Sequence, residues 1–302
     1  MVGRKINDNV HYDLAPEDLK GRDVLFRRGA DSQVWRVEGL NSVIARLRDY
    51  DNVQRLVIPE LVKRRITSDG STGNYDDRKH SLREVRAVGD DLIVVRLSMT
   101  YYQAHDADIR RSDEENIALQ KEGEQIYGDR WAYHARNIGV AVTPVTLDGH
   151  VFVGERINTR LYQGWLNAAA GNKTWSEQSG SLLKQFLKDA LNEELRREYG
   201  QSIEAVGEPE FVGIASHPLK GDADATWVVR INKRDSFFES GEWLKDRKDK
   251  EHDAKLVKIT KPEERDQLVN NFFAQGRQFP GVMYSTDLGL RALTERYFTR
   301  LE

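Results

Sequence analysis

Residues 183–200, LKQFLKDALNEELRREYG, constrain the fold more than any other stretch of the chain. Leu183, Phe186, Leu187, Ala190, Leu191 and Leu195 recur at three- and four-residue steps, the spacing of one face of an α-helix. Gly200 supplies a stop. Glu194 and Glu198 are four residues apart, so their carboxylates lie one turn apart on one side. Such a pair suits a helix offering hard oxygen ligands to Mg2+, with Mn2+ as a substitute ion. The competing reading is an ordinary solvated helix whose acids are neutralised by the neighbouring Arg196 and Arg197.

The flanks of this helix read as strands. IGVAVTPV (138–145) is almost continuously apolar, Asp148-Gly149 is a turn pair, and HVFVGERI (150–157) returns antiparallel. GWLNAAAG (164–171) reads as one short strand whose small residues let a backbone or ligand approach closely. Past the helix, 208–217 and 225–233 form a second strand pair joined by PLKGDAD. Residues 233–253 are highly charged and read as an irregular mobile loop, followed by a strand at 255–259. Two helices close the chain, 262–276 with Pro262 in its first turn, and 285–300.

The N-terminal third starts with a polar entry segment. Strands are expected at 23–28, 33–40 and 55–62, a helix at 41–50, and a loop at 66–80 rich in Ser, Gly, Asp and Asn. Residues 82–88 and 92–102 flank a GDD turn and form a hairpin. Ser112 with Glu115 makes a capping box that opens a helix over 112–128. The short basic clusters at 27–28, 63–65 and 110–111 are expected on solvated surface. The expected class is therefore α+β: a small α+β unit over 1–135, then a mixed sheet sandwiched by helices over 136–302.

The second unit resembles the Nudix hydrolase family. That family's signature runs glycine, five residues, glutamate, seven residues, then Arg-Glu-apolar-x-Glu-Glu-x-Gly-apolar. Here Gly171 through Glu177 matches the opening, and Glu193 through Gly200 occupies the close. The departures are specific. Glu193 stands where the signature has arginine, Arg197 where it has the first glutamate of the Glu-Glu pair, and Gln201 at the final apolar position. Fifteen residues separate Glu177 from Glu193 where the family has seven. The resemblance implies metal ligands at Glu194 and Glu198, with Glu177 assisting. It implies Glu251 as a late-loop ligand or base. Arg156, Tyr162 and Arg197 are candidates for substrate contacts, the competing readings being a solvent-facing strand residue for Arg156 and a loop packing residue for Tyr162. The two-domain layout, and LIVVRLSMTYYQAHDAD (92–108) in particular, is similar to the UDP-glucose-hydrolysing branch of that family.

What the resemblance implies is Mg2+-dependent hydrolysis of a nucleoside diphosphate linked to another moiety, such as a nucleotide sugar, with release of a nucleoside monophosphate. The rival expectation is a catalytically reduced module that binds a nucleotide or a protein partner, motivated by the lost signature acids. Processing of nucleic acid ranks last: net charge is -3 and there is no sustained basic stripe. The chain has no cysteine, which removes thiolate metal sites and thiol nucleophiles. No apolar run approaches the roughly 20 residues of a membrane helix. The opening residues hold no apolar secretory core, so a cytoplasmic protein is expected. Apolar strand edges and the last helix leave a homodimer open.

Overall fold

The computed structural model describes residues 4–7, 10–28, 78–101, 105, 108–109, 111–157, 162, 164–172, 180–248, 252–260, 264 and 283–296. Within them the chain is mixed α+β, with more strand than helix. The strands are β1 (Arg4–Asn7), β2 (Val10–Leu14), β3 (Asp23–Arg28), β4 (Arg78–Val88), β5 (Leu92–Tyr101) and β6 (Ile138–Val145). They continue with β7 (Val151–Arg156), β8 (Leu166–Asn167), β9 (Ala169–Gly171), β10 (Ala205–Ser216), β11 (Ala223–Ile231) and β12 (His252–Ile259). The helices are α1 (Asp113–Tyr127), α2 (Gly180–Tyr199), α3 (Asp235–Glu239) and α4 (Tyr284–Arg296).

The main sheet runs β1-β2-β10-β11-β6-β7-β12, with β8 added to β7 and β9 to β6. Its centre is the parallel pair β11–β6, and all eight residues of β6 are buried. This is the burial expected of a strand covered on both faces, and it accounts for the unbroken apolar run. Along β11 the side chains alternate between two cores. Trp227 and Val229 pack with Leu187, Leu191 and Leu195 of α2, while Val228 packs with Leu288 and Leu293 of α4. The two helices therefore cover opposite faces of the sheet. A second, three-stranded sheet, β3-β5-β4, contributes Leu82, Ile93, Val95 and Leu97 to the α2 side.

Several expectations hold locally. The hairpin β4–β5 turns at Gly89, whose φ of 66° needs no Cβ there. Helix α1 opens on the Ser112–Glu115 capping box and closes on a left-handed Gly128. Others need correction. The polar entry segment carries strand: β2 pairs antiparallel with β10, so residues of the expected 1–135 unit extend the sheet of the expected 136–302 unit. The two sheets are also stitched where Leu82 N–H donates to Arg136 O at 2.8 Å and Ser81 Oγ donates to Ala135 O at 2.7 Å.

Residues 164–171 do not form one strand. Ala168 breaks them into β8 and β9, which turn to different neighbours. The charged stretch 233–253 is ordered over most of its described length. It forms α3 and a 3-10 turn at Glu242–Leu244, because Phe237, Phe238 and Trp243 are buried against Phe152 and Tyr199. The expected loop 66–80 ends inside β4 at Arg78–His80. Arg111, expected on solvated surface, is 6% exposed; it donates to Asn116 Oδ1 at 2.9 Å and pairs with Asp108. The elements expected at 33–40, 41–50 and 55–62, the cluster at 63–65 and nearly all of 262–276 lie outside the described residues. No helix among the described residues is long and apolar enough to cross a membrane.

Candidate functional site

Helix α2 presents Leu187, Ala190, Leu191, Glu194, Leu195, Glu198 and Tyr199 to the interior. Both glutamates thus occupy the apolar stripe, each only 1% exposed, while Glu193 faces out. A solvated charged face does not describe them. A buried carboxylate carries a desolvation cost of several kcal/mol unless cations or donors compensate it. The compensation comes first from Arg197, one turn on from Glu194. Its Nη2 lies 2.6 Å from Glu194 Oε2 and 3.4 Å from Glu198 Oε1, and donates to Ala170 O at 3.2 Å. Arg197 keeps 34% side-chain exposure and lines a cleft of about 270 Å3 together with Asn192, Arg196, Gln201 and Lys248.

Opposite the helix, Gly171 at the end of β9 lets Glu194 in. A Cβ on Gly171 would stand 2.5 Å from both Glu194 carboxylate oxygens. Gly139 of β6 does the same on the neighbouring strand, where a Cβ would stand 2.6 Å from Asp224 Oδ1 and 2.9 Å from Gly171 O. Two glycines on paired strands thus leave room for two carboxylates, one from α2 and one from β11. The account predicts that Gly171→Ala displaces Glu194. Its overpacking cost is about 1–3 kcal/mol. The site-specific sign is loss of any Mg2+-induced rise in melting temperature, read by calorimetry; an unchanged rise would contradict this placement.

Asp224 and the adjacent Asp222 are the residues that sequence reasoning missed. Burial pushes the Asp224 carboxyl up to about 7 from an ordinary 3.8, and Asp222 and Glu194 add to the rise. A hydrogen bond from Ser285 and the charge of Arg156 oppose it. Tyr162 OH donates to both Asp222 oxygens at 2.8 Å. Burial, with Asp222 next, holds the Tyr162 phenol far above its usual range, so it acts as a neutral donor. The ring stacks on His217 at 5.9 Å, and burial lowers the His217 imidazole, which favours the neutral ring.

The expected residues fall into two adjoining groups. Glu194, Glu198 and Arg197 form one; Arg156 and Tyr162 belong to the other, around Asp222 and Asp224, and Glu194 is close enough to raise Asp224. Glu177 and Glu251 lie outside the described residues. The signal that could have found the missed pair is Asp222-x-Asp224 at the head of a central apolar strand, where spacing by two puts both on one face.

Carboxylate oxygens are the donors that a hard divalent cation takes, and Glu194 and Glu198 supply two such groups from α2. Among the described residues, no three His, Cys, Asp or Glu side chains stand in an arrangement that could hold an ion. Arg197 pairs with both glutamates among those residues.

Asp224 supplies a pH test. An acid whose folded value is raised favours folding fully below its unfolded value and loses that contribution as pH rises through the folded one. In chelator, stability should therefore decline between pH 3.8 and about 7. Asp224→Asn should remove that decline and gain up to about 4 kcal/mol at pH 8. Equal pH profiles for both proteins by denaturant titration would contradict the burial argument. Compared with known proteins, the chain matches no family model and no curated relative.

Proposed function

We propose that the chain is a Nudix-type hydrolase acting on a nucleoside diphosphate linked to another moiety, a nucleotide sugar being the substrate class in view, with release of a nucleoside monophosphate. The observation that carries the reading is the burial of Glu194 and Glu198, each 1% exposed, on the core side of α2 opposite Gly171. Stability alone gives no reason to bury two acids where leucines would serve, so their retention at core positions of α2 points to a use other than packing. The order hairpin, glycine-ended strand, acid-bearing helix, then a strand returning parallel to the first, supports the family resemblance.

Glu194 and Glu198 are the residues that would hold Mg2+ or Mn2+, which when bound would supply charge neutralisation for diphosphate oxygens and an activated water. Arg197 and Lys248 line the open cleft together with Asp189 and Glu193, and the Arg197 guanidinium fork suits a phosphate oxygen. Tyr162, hydrogen-bonded to Asp222 and stacked on His217, would serve as a positioning group in the neighbouring cluster.

A second reading, a module that binds a nucleotide or a partner without catalysis, is favoured by one observation: Arg197 already neutralises the acid pair. The deciding experiment is release of nucleoside monophosphate from a panel of nucleoside diphosphate derivatives with Mg2+ and with chelator. Metal-dependent release supports hydrolysis. Binding of the same compounds without release supports the module.

A further inference from the structure

We infer that Thr286, in the first turn of α4, is a positioning residue for the candidate site: its hydroxyl fixes the pivot from which β9 carries Ala170 and Gly171 to α2. Its turnover readout rests on the hydrolase reading given above; its placement readout does not.

The pivot is Ala168. Leu166 and Asn167 pair with β7, whereas Ala169, Ala170 and Gly171 pair with β6. Ala168 stands between them and joins neither ladder. It is buried, so its N–H needs a partner from outside the sheet. Thr286 supplies it: Ala168 N–H donates to Thr286 Oγ1 at 2.9 Å. The same hydroxyl donates to Asn167 Oδ1 at 3.0 Å, which sets its rotor with a lone pair toward Ala168. Asn167 and Thr286 are buried as well. Beside this contact, Met283 N–H donates to Leu166 O at 2.8 Å. The start of α4 therefore holds both β8 and the residue at which the chain leaves it.

The pivot matters because β9 is only three residues long. At its end, a Cβ on Gly171 would stand 2.5 Å from both Glu194 oxygens. One residue earlier, Ala170 O receives Arg197 Nη2 at 3.2 Å. Both contacts to α2 lie within about 10 Å of chain from Ala168, at the usual rise of a strand. A tilt at the pivot shifts them together. Helix α4 covers the sheet face opposite α2, so Thr286 acts on the acid-bearing helix through β9. A hydroxyl is what the place requires. Valine fills nearly the same space but offers no lone pair, and would leave the Ala168 N–H buried without an acceptor.

The test compares the full chain as wild type, Thr286→Val and Thr286→Ser. Amide hydrogen exchange is read over residues 168–171, with β11 as reference, and nucleoside monophosphate release is resolved into kcat and KM. Thr286→Val should exchange about ten-fold faster over 168–171, the scale of one buried hydrogen bond, with β11 unchanged. Its kcat should fall about ten-fold or more with KM within about two-fold, since small misplacements at a site cost that much. Thr286→Ser keeps the hydroxyl and should restore both. Asn167→Ala removes the acceptor that orients the hydroxyl and should show the same pattern at smaller size; it carries the test if Thr286→Val does not fold. Faster exchange spread equally over β9 and β11, with no rescue by serine, would mean general loosening and overturn the inference. Wild-type exchange in Thr286→Val would overturn it while leaving the hydrolase reading standing. Faster β9 exchange with unchanged kcat would also overturn it, because the site would then be indifferent to the pivot. No release by wild type would remove the hydrolase reading; local exchange, faster with valine and restored with serine, would still support the placement of β9 by Thr286.

Discussion

Replacing Glu198 by Gln should lower metal-dependent release of nucleoside monophosphate by about 100-fold, since loss even of groups that only support a metal ligand costs about 10–100-fold. The protein should stay folded. Glu198 is 1% exposed in the apolar stripe of α2, and glutamine keeps its shape while discarding a charge that is costly to bury. Its melting temperature in chelator should equal or exceed that of wild type. Full activity in a well-folded Glu198→Gln protein would refute the site assignment; a collapse of stability would mean that the carboxylate serves the fold.

The largest expected loss of stability lies elsewhere, at Asp13. This β2 residue is buried, receives Arg136 Nη2 at 2.7 Å and Ser216 Oγ at 2.7 Å, and so fastens the β1–β2 edge to β10 and to the entry of β6. Arg136 is itself 5% exposed and lies over the Trp131 ring at 4.8 Å. Asp13→Asn would leave that guanidinium buried without its counter-charge, which typically costs about 3–5 kcal/mol. The loss corresponds to a fall in melting temperature of roughly 10 °C at this chain size. Adding Arg136→Met should recover some of it. Burial alone would raise the Asp13 carboxyl, but Arg136 and His11 prevail and hold it well below the ordinary range. Its stabilisation is therefore complete above the unfolded value of 3.8 and is lost as pH falls below it. The gap between wild type and Asp13→Asn should narrow on acidification below that point. A gap independent of pH would contradict the ion pair.

How much of this was legible in the sequence varies with the kind of signal. Periodicity located α2, β6 and the β4–β5 hairpin, because one-sided or two-sided burial writes itself into residue spacing. Capping chemistry located α1 for the same local reason. What periodicity does not encode is partnership. Nothing in VHYDL says that β2 will pair with β10 some two hundred residues later, or that Asp13 will meet Arg136. Charge misled at residues 233–253, where three buried aromatics outweigh the surrounding Lys, Arg, Asp and Glu. At the site, the spacing of Glu194 and Glu198 was readable and their burial was not, since an acid at a core position looks the same in sequence as one at the surface. Asp222 and Asp224 were hidden in what reads as a loop; in the fold Asp224 alternates with Ala223 and Ala225 onto the α4 face of β11, and only the folded sheet brings it near enough to Glu194 to be raised by it.

The central claim is that Glu194 and Glu198 receive a divalent ion at the edge of a diphosphate-binding cleft. Crystals soaked with Mn2+ and a non-hydrolysable nucleotide sugar test it most directly through anomalous scattering. The expected result is a peak within coordination distance of both carboxylates, beside the ligand's phosphates. A site free of any peak while the ligand is bound would contradict it.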